Sequence, residues 1–141
     1  MADFDTDEFA SVLRDHALSQ PHGRCAQYVR AAIEAGGLKA DTHPPVAKDW
    51  GPTLEDLGFM KVPHENYSPC QGDIAVIQPT SKGNQAGHMA GYDGKGWFSD
   101  FKQKDMWGGP LYREEQPDHE IYRWPDQSCG PNLDVADDRG R

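Results

Sequence analysis

Three side chains in this chain of 141 residues could together cut an amide bond: Cys25, His88 and Asp100. A cysteine attacks a carbonyl carbon as its thiolate, and the thiol pKa falls at a helix start or beside an imidazolium. A histidine can move the thiol proton to a leaving amine, and a carboxylate can fix the ring that does so. We therefore interpret the three as nucleophile, general base and orienting group of a cysteine hydrolase.

Each of the three residues, taken alone, has a simpler explanation. A helical cysteine is more often a small core residue, and a lone histidine is more often a hydrogen-bonded structural residue. An aspartate near a strand end is typical of a turn. What favours catalysis is the order of the set, a cysteine at a helix start followed by a histidine and an aspartate on paired strands.

Two predicted helices place the cysteine. Residues 5–8 (DTDE) have the pattern of a capping box, in which the first residue caps the helix and Glu8 reaches back. Apolar residues at helical spacing continue this helix to about Leu18. A Pro-His-Gly break follows, and a second helical pattern starts near Arg24 and stops at a Gly-Gly pair. Cys25 therefore lies in the first turn of the second helix.

Predicted strands place the histidine and the aspartate. Four segments have the composition of strands bounded by Gly, Pro, Asn or Asp: residues 74–77, 88–92, 96–101 and 121–124. We expect the first three to be adjacent, with the last two of these joined by the turn at residues 93–95. His88 begins the second strand and Asp100 lies near the end of the third, so their side chains could meet.

The rest of the chain predicts one domain and a tail. A chain of this length can bury about two-thirds of its unfolded surface around one core, and no repeat or linker divides it. Residues 41–71 are irregular and rich in proline, with one short helix predicted at residues 53–57 and closed by Gly58. We predict a single catalytic domain over residues 1–125 and a polar tail over residues 126–141.

The charge of the chain argues against nucleic acid as a partner. Fourteen Lys and Arg against 23 Asp and Glu give a formal net charge of -9, which repels phosphate backbones and anionic lipids. No apolar run approaches the about 20 residues of a spanning helix, and the acidic N-terminus is unlike a secretory signal. We expect synthesis in the cytoplasm without a signal peptide, and no membrane insertion.

Five segments of the sequence resemble the CHAP and NlpC-type papain-like cysteine peptidoglycan amidases, especially the small amidase effectors delivered by bacterial type VI secretion. They are GRCAQYVRAAIEAGG, WGPTLEDLGFMKV, QGDIAVIQP, GHMAGYDGKGWFSDFKQ and the closing GGPLYR with IYRWP. The resemblance covers about residues 22–125. It implies an α+β papain-like fold, in which N-terminal helices pack on a small antiparallel β-sheet.

The resemblance also assigns roles to single residues. The nucleophile falls on Cys25, the general base on His88 and the orienting residue on Asp100, with Gln103 as a less favoured substitute for the third role. The chain departs from the family pattern just ahead of the nucleophile, where it has residues 22–24 (HGR) in place of a Trp or a second small residue. This departure puts the shape of the pocket wall and the second oxyanion donor in doubt.

The function that the resemblance implies is peptidoglycan hydrolysis, with cleavage of amide bonds in stem peptides or cross-links and without a cofactor or metal. As an effector, the protein would be secreted or injected into a target cell's periplasm and neutralised by a cognate immunity protein. We expect a monomer. The predicted substrate-binding residues are His22, Trp97, Lys102 and Gln103, and the region of Arg113 is a further candidate for the groove.

Three alternatives compete with the hydrolase. The first is a metal site, because His22 and Cys25 have ligand-like spacing and His64 with Cys70 could complete a set of four. The second is a non-catalytic module of a phage or secretion particle that binds the cell wall through its four tryptophans. The third is a thiol-dependent acyltransferase on the same site.

The cysteine count bears on the first of these alternatives. Three cysteines form no close pair, so a disulfide framework is not expected. We interpret Cys70 and Cys129 as bystander thiols, which leaves Cys25 as the thiol with a chemical setting.

Overall fold

The first helix, α1 (Thr6–His16), begins at the predicted cap. The computed structural model describes residues 3–125. The Asp5 carboxylate accepts hydrogen bonds from the backbone N–H groups of Asp7 and Glu8 at 3.0 and 3.1 Å, which satisfies two donors at the helix start. The N–H of Asp5 donates to the Gly36 carbonyl at 2.8 Å. Glu8 is therefore left without that donor, and only the first half of the predicted capping box forms.

The second helix, α2 (Cys25–Ala35), places the candidate nucleophile at its start. α1 ends before the predicted Leu18 because Ala17 is extended and Leu18 pairs with Phe101 in an isolated parallel bridge. Arg24 is the N-cap of α2 and Cys25 is its first residue, as predicted. The first N–H groups of a helix have no partner within the helix, so donors surround the Cys25 position.

The segment that the sequence describes as irregular contains more regular structure than predicted. A 3-10 turn (Ala47–Asp49) leads into α3 (Gly51–Leu57), which ends at Gly58 with a φ of 120°. The short strand β1 (Met60–Val62) follows. Its three residues are too few to show the alternation by which a strand is recognised.

Five strands form one antiparallel sheet in the order β1-β5-β2-β3-β4. The other four strands are β2 (Ile74–Ile77), β3 (His88–Tyr92), β4 (Trp97–Phe98) and β5 (His119–Arg123). β2, β3 and β4 are neighbours as predicted, and His88 pairs with Ile77 where β3 begins. A fourth helix, α4 (Pro110–Glu115), lies between β4 and β5. The predicted α+β fold is confirmed.

Both faces of the sheet are covered. Helices α1, α2 and α3 pack on one face, where the buried apolar side chains include Phe9, Leu13, Val29, Ile33, Leu54, Ile74 and Met89. The opposite face carries a smaller cluster of Ala75, Ile77, Ala90, Trp97 and Ile121. A Cβ at Gly91 would lie 2.6 Å from the Phe9 ring, so glycine in β3 lets α1 approach the sheet closely. No helix of residues 3–125 is long and apolar enough to cross a membrane.

The interpretation of Cys70 as a bystander thiol is wrong. Cys70 is disulfide-bonded and 4% exposed, whereas Cys25 is a free cysteine. Spacing along the chain says little about which cysteines meet in the fold, which is why the sequence pattern missed the bond. Cys129 and the predicted tail, residues 126–141, lie outside the described residues.

Candidate active site

Cys25 is the first residue of α2, and its surroundings act in opposite directions on the pKa of its thiol. Burial is the largest and raises the pKa of Cys25. The backbone N–H groups of Met89, Ala26 and Cys25 itself lower this pKa, while the charge of Asp100 raises it. The balance holds the pKa above its ordinary value, so the group is a thiol at neutral pH and must lose its proton to become a nucleophile.

His88 begins β3 beside a glycine that the packing requires. Gly87 has a φ of +77°, and a Cβ there would lie 2.5 Å from the Ile77 carbonyl oxygen and 2.8 Å from the Cβ of Lys48. Burial lowers the pKa of His88, against smaller raising effects of a hydrogen bond that the ring donates to Gln103 and of the charge of Asp100. The ring is therefore neutral at neutral pH and can accept a proton.

The partner of the His88 ring is Gln103. The Nε2 atom of His88 lies 2.6 Å from Oε1 of Gln103. The Gln103 amide nitrogen donates to the carbonyl oxygens of Asp105 and Met106 at 2.8 and 3.2 Å, which fixes the direction of the amide. Because Oε1 can only accept, the His88 Nε2–H donates to it. The Nδ1 atom of His88 is then the nitrogen that can take or give a proton.

Asp100 does not make the contact that the sequence predicts for it. Within residues 3–125 no hydrogen bond joins Asp100 to His88. The Asp100 Oδ2 atom accepts from the backbone N–H groups of His22 and Arg24, both at 2.8 Å. The orienting contact predicted for Asp100 is therefore wrong, and the substitute that the sequence ranked second, Gln103, makes it.

The chain turn after β4 explains this exchange. β4 ends at Phe98, three residues before the predicted end, because Ser99 N–H donates to the Phe101 carbonyl at 3.0 Å. The Gln103 N–H then donates back to the Trp97 carbonyl at 2.8 Å. The turn directs the carboxylate of Asp100 to the α1–α2 connection and brings the amide of Gln103 to His88.

Cys25, His88 and Asp100 line one cavity of about 460 Å³. One part of its lining is formed by residues 45–47 with Asn84, Ala86 and Gly87, and another part, the 108–112 wall, is formed by residues 108–112. Most of the lining side chains are apolar or small. Arg24, at the N-cap of α2, is a cationic side chain on this lining.

Two residues of the 108–112 wall were not identified from the sequence. A Cβ at Gly108, where φ is +81°, would lie 2.5 Å from His88 Nε2 and 3.1 Å from Gln103 Oε1. The Tyr112 ring centre lies 5.7 Å from that of His88. The Gly-Gly-Pro sequence at residues 108–110 is the signal that could have indicated a close backbone approach here.

The 108–112 wall is fastened at both ends. The Arg113 Nε atom lies 2.6 Å from Oδ2 of Asp105, and this hydrogen bond lowers the pKa of Asp105. The Glu115 carboxylate accepts from the N–H and the hydroxyl of Ser81 at 2.8 Å each. Arg113 is thus engaged in holding the wall, and its ion pair is part exposed.

The structure brings the predicted substrate-binding residues together only in part. Gln103 is buried behind His88, and Trp97 is 7% exposed on the opposite face of the sheet. Neither His22 nor Lys102 is part of the cavity lining. His22 contributes its backbone N–H to the site. Arg24, Gly108 and Tyr112 line the same cavity as Cys25 and His88, and the substrate-binding roles of the four residues stay predictions.

The structure bears on two of the alternatives drawn from the sequence, the metal site and the wall-binding module. Cys70 is disulfide-bonded and so is not available as a thiolate ligand. No group of three or more His, Cys, Asp and Glu side chains among residues 3–125 is arranged to hold a metal ion. Trp50 and Trp97 are buried, at 1% and 7% exposure, which removes two of the four tryptophans from any wall-binding surface.

Two forms of one solved complex are among the structures similar to this chain. No protein-family model matches the chain, and no curated protein sequence matches it. The native type VI effector-immunity complex Tae3-Tai3 from Ralstonia pickettii contains a chain with 41% identity and a TM-score of 0.78, over 86% of this chain and 99% of that chain. The selenomethionine form of the complex gives 42% identity and a TM-score of 0.74, over 82% and 98%. With this identity over nearly the whole length of the relative, the chain belongs to the Tae3 family of type VI effectors.

Proposed function

We propose that this protein is a cysteine amidase that cuts amide bonds in peptidoglycan stem peptides or cross-links. The observation that carries the proposal is the hydrogen bond at 2.6 Å between His88 Nε2 and Gln103 Oε1. It leaves Nδ1 free in the cavity that Cys25 also lines. A free thiol at a helix start, a neutral imidazole and a fixed amide together have the parts of a nucleophile, base and orienter set.

Acylation starts from the neutral pair. The Sγ atom of Cys25 attacks the carbonyl carbon of the amide while Nδ1 of His88 takes the thiol proton. The negative charge that develops on the carbonyl oxygen is stabilised by N–H groups at the start of α2, with Cys25 N–H as one donor. His88 then gives its proton to the leaving nitrogen. The C–N bond breaks, a free amine departs and a thioester on Cys25 remains.

Deacylation reverses the roles. Water enters in place of the amine, and Nδ1 of His88 takes a proton from it as its oxygen attacks the thioester carbon. The C–S bond breaks, the carboxylic acid leaves and the proton returns to the Cys25 sulfur. Gln103 holds the ring through both half-reactions, so one imidazole orientation serves both proton transfers.

The substrate class rests on the sequence resemblance to CHAP and NlpC-type amidases and on the family membership. Stem peptides are short and rich in small side chains, which suits a cavity of about 460 Å³ with mostly small or apolar lining. Arg24 on the lining offers a cation to the carboxylates of such peptides. These features support a wall peptide as substrate.

The setting in which the activity acts follows from the relatives. The similar structures are complexes of an effector with its immunity protein. We propose that this protein is likewise delivered by type VI secretion into a rival's periplasm, where peptidoglycan is exposed to it. We also propose that its producer makes an immunity protein that covers the Cys25 cavity.

Digestion of purified peptidoglycan tests the activity. Wild type, Cys25→Ala and His88→Ala are incubated with Gram-negative sacculi, and the released muropeptides are identified by mass spectrometry. His16→Ala, which changes an exposed histidine at the end of α1, is the matched control. New fragments from wild type and His16→Ala alone support the proposal and name the bond. Fragments from Cys25→Ala refute the nucleophile assignment.

Absence of fragments from wild type would point to the other two functions. An added amine that becomes acylated in a Cys25-dependent reaction indicates an acyltransferase. Cosedimentation with sacculi that Cys25→Ala retains indicates a wall-binding module. Either result, in place of hydrolysis, rules out the amidase.

A further inference from the structure

Asp100 is one of the most buried charged side chains of the protein, and its contacts converge on the segment that leads into Cys25. Asp100 is 1% exposed. The Oδ2 atom accepts from the N–H groups of His22 and Arg24, both at 2.8 Å. Between these donors lies Gly23 with a φ of +72°. The residue after the second donor is Cys25.

The backbone of Asp100 holds the other end of the same segment. Its carbonyl oxygen accepts from Leu18 N–H at 2.8 Å, and Leu18 forms the bridge to Phe101. The α1–α2 connection, residues 17–24, is thus fastened to one residue by three hydrogen bonds from its N–H groups. The side chain of Arg24 makes no cap hydrogen bond at the α2 start, and Asp100 instead holds the N-cap residue itself through the N–H of Arg24.

The charge of Asp100 works against nucleophile formation. It raises the pKa of Cys25 and the pKa of His88, because a negative charge disfavours a thiolate and favours an imidazolium. A carboxylate placed there to activate the thiol would have the wrong sign. Two short charge-assisted hydrogen bonds offset the cost of burying it. The hydrogen bonds that Asp100 accepts therefore explain a buried carboxylate at this position better than its charge does.

We propose that Asp100 is a positioning residue that fixes the turn at residues 22–24 and so sets where Cys25 stands relative to the His88 ring. The inference rests on the proposed function. It gives Asp100 a role other than the one predicted from the sequence: Gln103 orients the base, and Asp100 positions the nucleophile.

Asp100→Asn and Asp100→Leu separate the hydrogen bonds from the charge. Asparagine keeps an oxygen that can accept from both N–H groups, whereas leucine has a similar size and no acceptor. We expect Asp100→Asn to keep kcat within about threefold of wild type at its own optimum pH. We expect Asp100→Leu to lose about 10- to 100-fold in kcat with a small change in KM, since displacement of a reacting group by about 1 Å has costs of this order.

The pH dependence of Cys25 alkylation gives a readout that needs no wall substrate. Iodoacetamide labelling of the Cys25 peptide is followed by mass spectrometry between pH 5 and pH 10. Because the carboxylate raises the Cys25 pKa, Asp100→Asn should move the midpoint to lower pH. A residue that only stabilises the fold would leave this midpoint in place. Asp73→Asn is the matched control, since Asp73 is equally buried on the β5 side of the sheet.

Each outcome of these experiments either supports or overturns the proposed role of Asp100. Retained hydrolysis and a lower alkylation midpoint in Asp100→Asn, with loss of kcat in Asp100→Leu, support the proposal. Wild-type kcat in Asp100→Leu overturns it, and so does a loss in Asp100→Asn as large as that of His88→Ala. If Asp100→Leu does not fold, Asp100→Asn decides alone by these two measures. If wild type cuts no peptidoglycan, the proposed function fails, and the alkylation midpoint still tests the place of Asp100.

Discussion

The Nε2 atom of His88 lies 2.6 Å from Oε1 of Gln103, so Nε2 carries the proton of the neutral ring and Nδ1 is the nitrogen that can accept one. The Gln103 amide nitrogen is committed to two backbone carbonyl oxygens, so its oxygen cannot exchange places with it without losing both bonds. The His88 tautomer is therefore set by a network that includes the backbone of residues 105–106. Substitutions in that network should act on catalysis through the ring and leave the thiol in place.

Replacement of Gln103 by leucine tests the orienting role. Leucine is of similar size and accepts no hydrogen bond, so the ring is free to change tautomer and tilt. We expect kcat for peptidoglycan hydrolysis to fall about 10- to 100-fold with little change in KM, as is typical when a proton-transfer group is misaligned. Gln78→Leu is the control, because Gln78 is a partly buried glutamine whose amide bonds the Lys48 carbonyl. Equal activity of the two variants would contradict the role.

A glycine on the cavity wall should be as sensitive as the catalytic residues. A Cβ at Gly108 would lie 2.5 Å from His88 Nε2, and the ring is too confined to move away. We expect Gly108→Ala to lower kcat by about 10-fold or more, together with a loss of about 1 kcal/mol in unfolding free energy from the strained φ. Steady-state kinetics and urea unfolding measure the two effects.

Gly94→Ala is the control for the backbone strain alone. Gly94 also has a positive φ, of +100°, but it lies in the β3–β4 turn near Gln71. It should lose a similar unfolding free energy and keep the kcat of wild type. A loss of kcat of the same size in both variants would show that strain, rather than the clash with the ring, lowers activity.

The pH profile of kcat/KM should have a broad plateau. Burial lowers the pKa of His88 and raises the pKa of Cys25, so thiol and neutral imidazole coexist between the two values. As pH falls through the lowered His88 pKa, the ring gains a proton and cannot accept that of the thiol. As pH rises through the raised Cys25 pKa, the pair loses the proton that the leaving amine needs. Activity is therefore lost only below the ordinary imidazole pKa and above the ordinary thiol pKa.

Alkylation of Cys25 distinguishes this neutral pair from an ion pair. The iodoacetamide rate on the Cys25 peptide should rise with pH through a midpoint above the ordinary thiol pKa. A thiolate held by an imidazolium would be alkylated fast already at about pH 5, and such a profile would contradict the neutral pair. Circular dichroism at each pH checks that the fold is retained.

The sequence predicted those parts of the site that local pattern determines. A helix break before Arg24 and a strand start after Gly87 are visible in a few neighbouring residues, so Cys25 and His88 were placed correctly at the start of α2 and of β3. The choice between Asp100 and Gln103 was not local. It depends on a turn that ends β4 at Phe98, and this turn forms by contacts with the α1–α2 connection.

The remaining differences have the same cause. β1 forms because residues 60–62 find β5 across the sheet, and the sequence has no alternation that could indicate this pairing. Cys70 is disulfide-bonded, and cysteine spacing alone does not indicate which thiols meet. Gly108 and Tyr112 come to the cavity because the 108–112 wall is fastened by Arg113 and Glu115. Each of these is a tertiary contact, which the spacing of residue types along the chain does not indicate.

The buried ion pair of Asp73 and Arg123 lies outside the cavity lining and should contribute to stability but not to activity. Asp73 is fully buried and accepts hydrogen bonds from the Tyr67 hydroxyl at 2.6 Å and from two Arg123 nitrogens at 2.8 Å each. The hydrogen bond with Asp73 raises the pKa of Arg123, and burial together with the Asp73 charge raises the pKa of Tyr67. Arg123→Met removes the guanidinium that donates to this buried carboxylate. We expect a loss of about 2–4 kcal/mol in unfolding free energy, below the full value for a buried pair because the guanidinium is part exposed.

Lys61→Met is the matched control for that loss. Lys61 is an exposed cation 4.0 Å from Glu120, and pairs of this kind contribute about 0–1 kcal/mol. Urea unfolding should therefore separate Arg123→Met from Lys61→Met, while kcat per folded molecule stays the same in both, since neither side chain lines the Cys25 cavity. Equal unfolding free energies would mean that the remaining interactions of Asp73 make up for the loss of the guanidinium. A lower kcat in Arg123→Met would mean that the β5 end of the sheet is coupled to the site through β2 and β3.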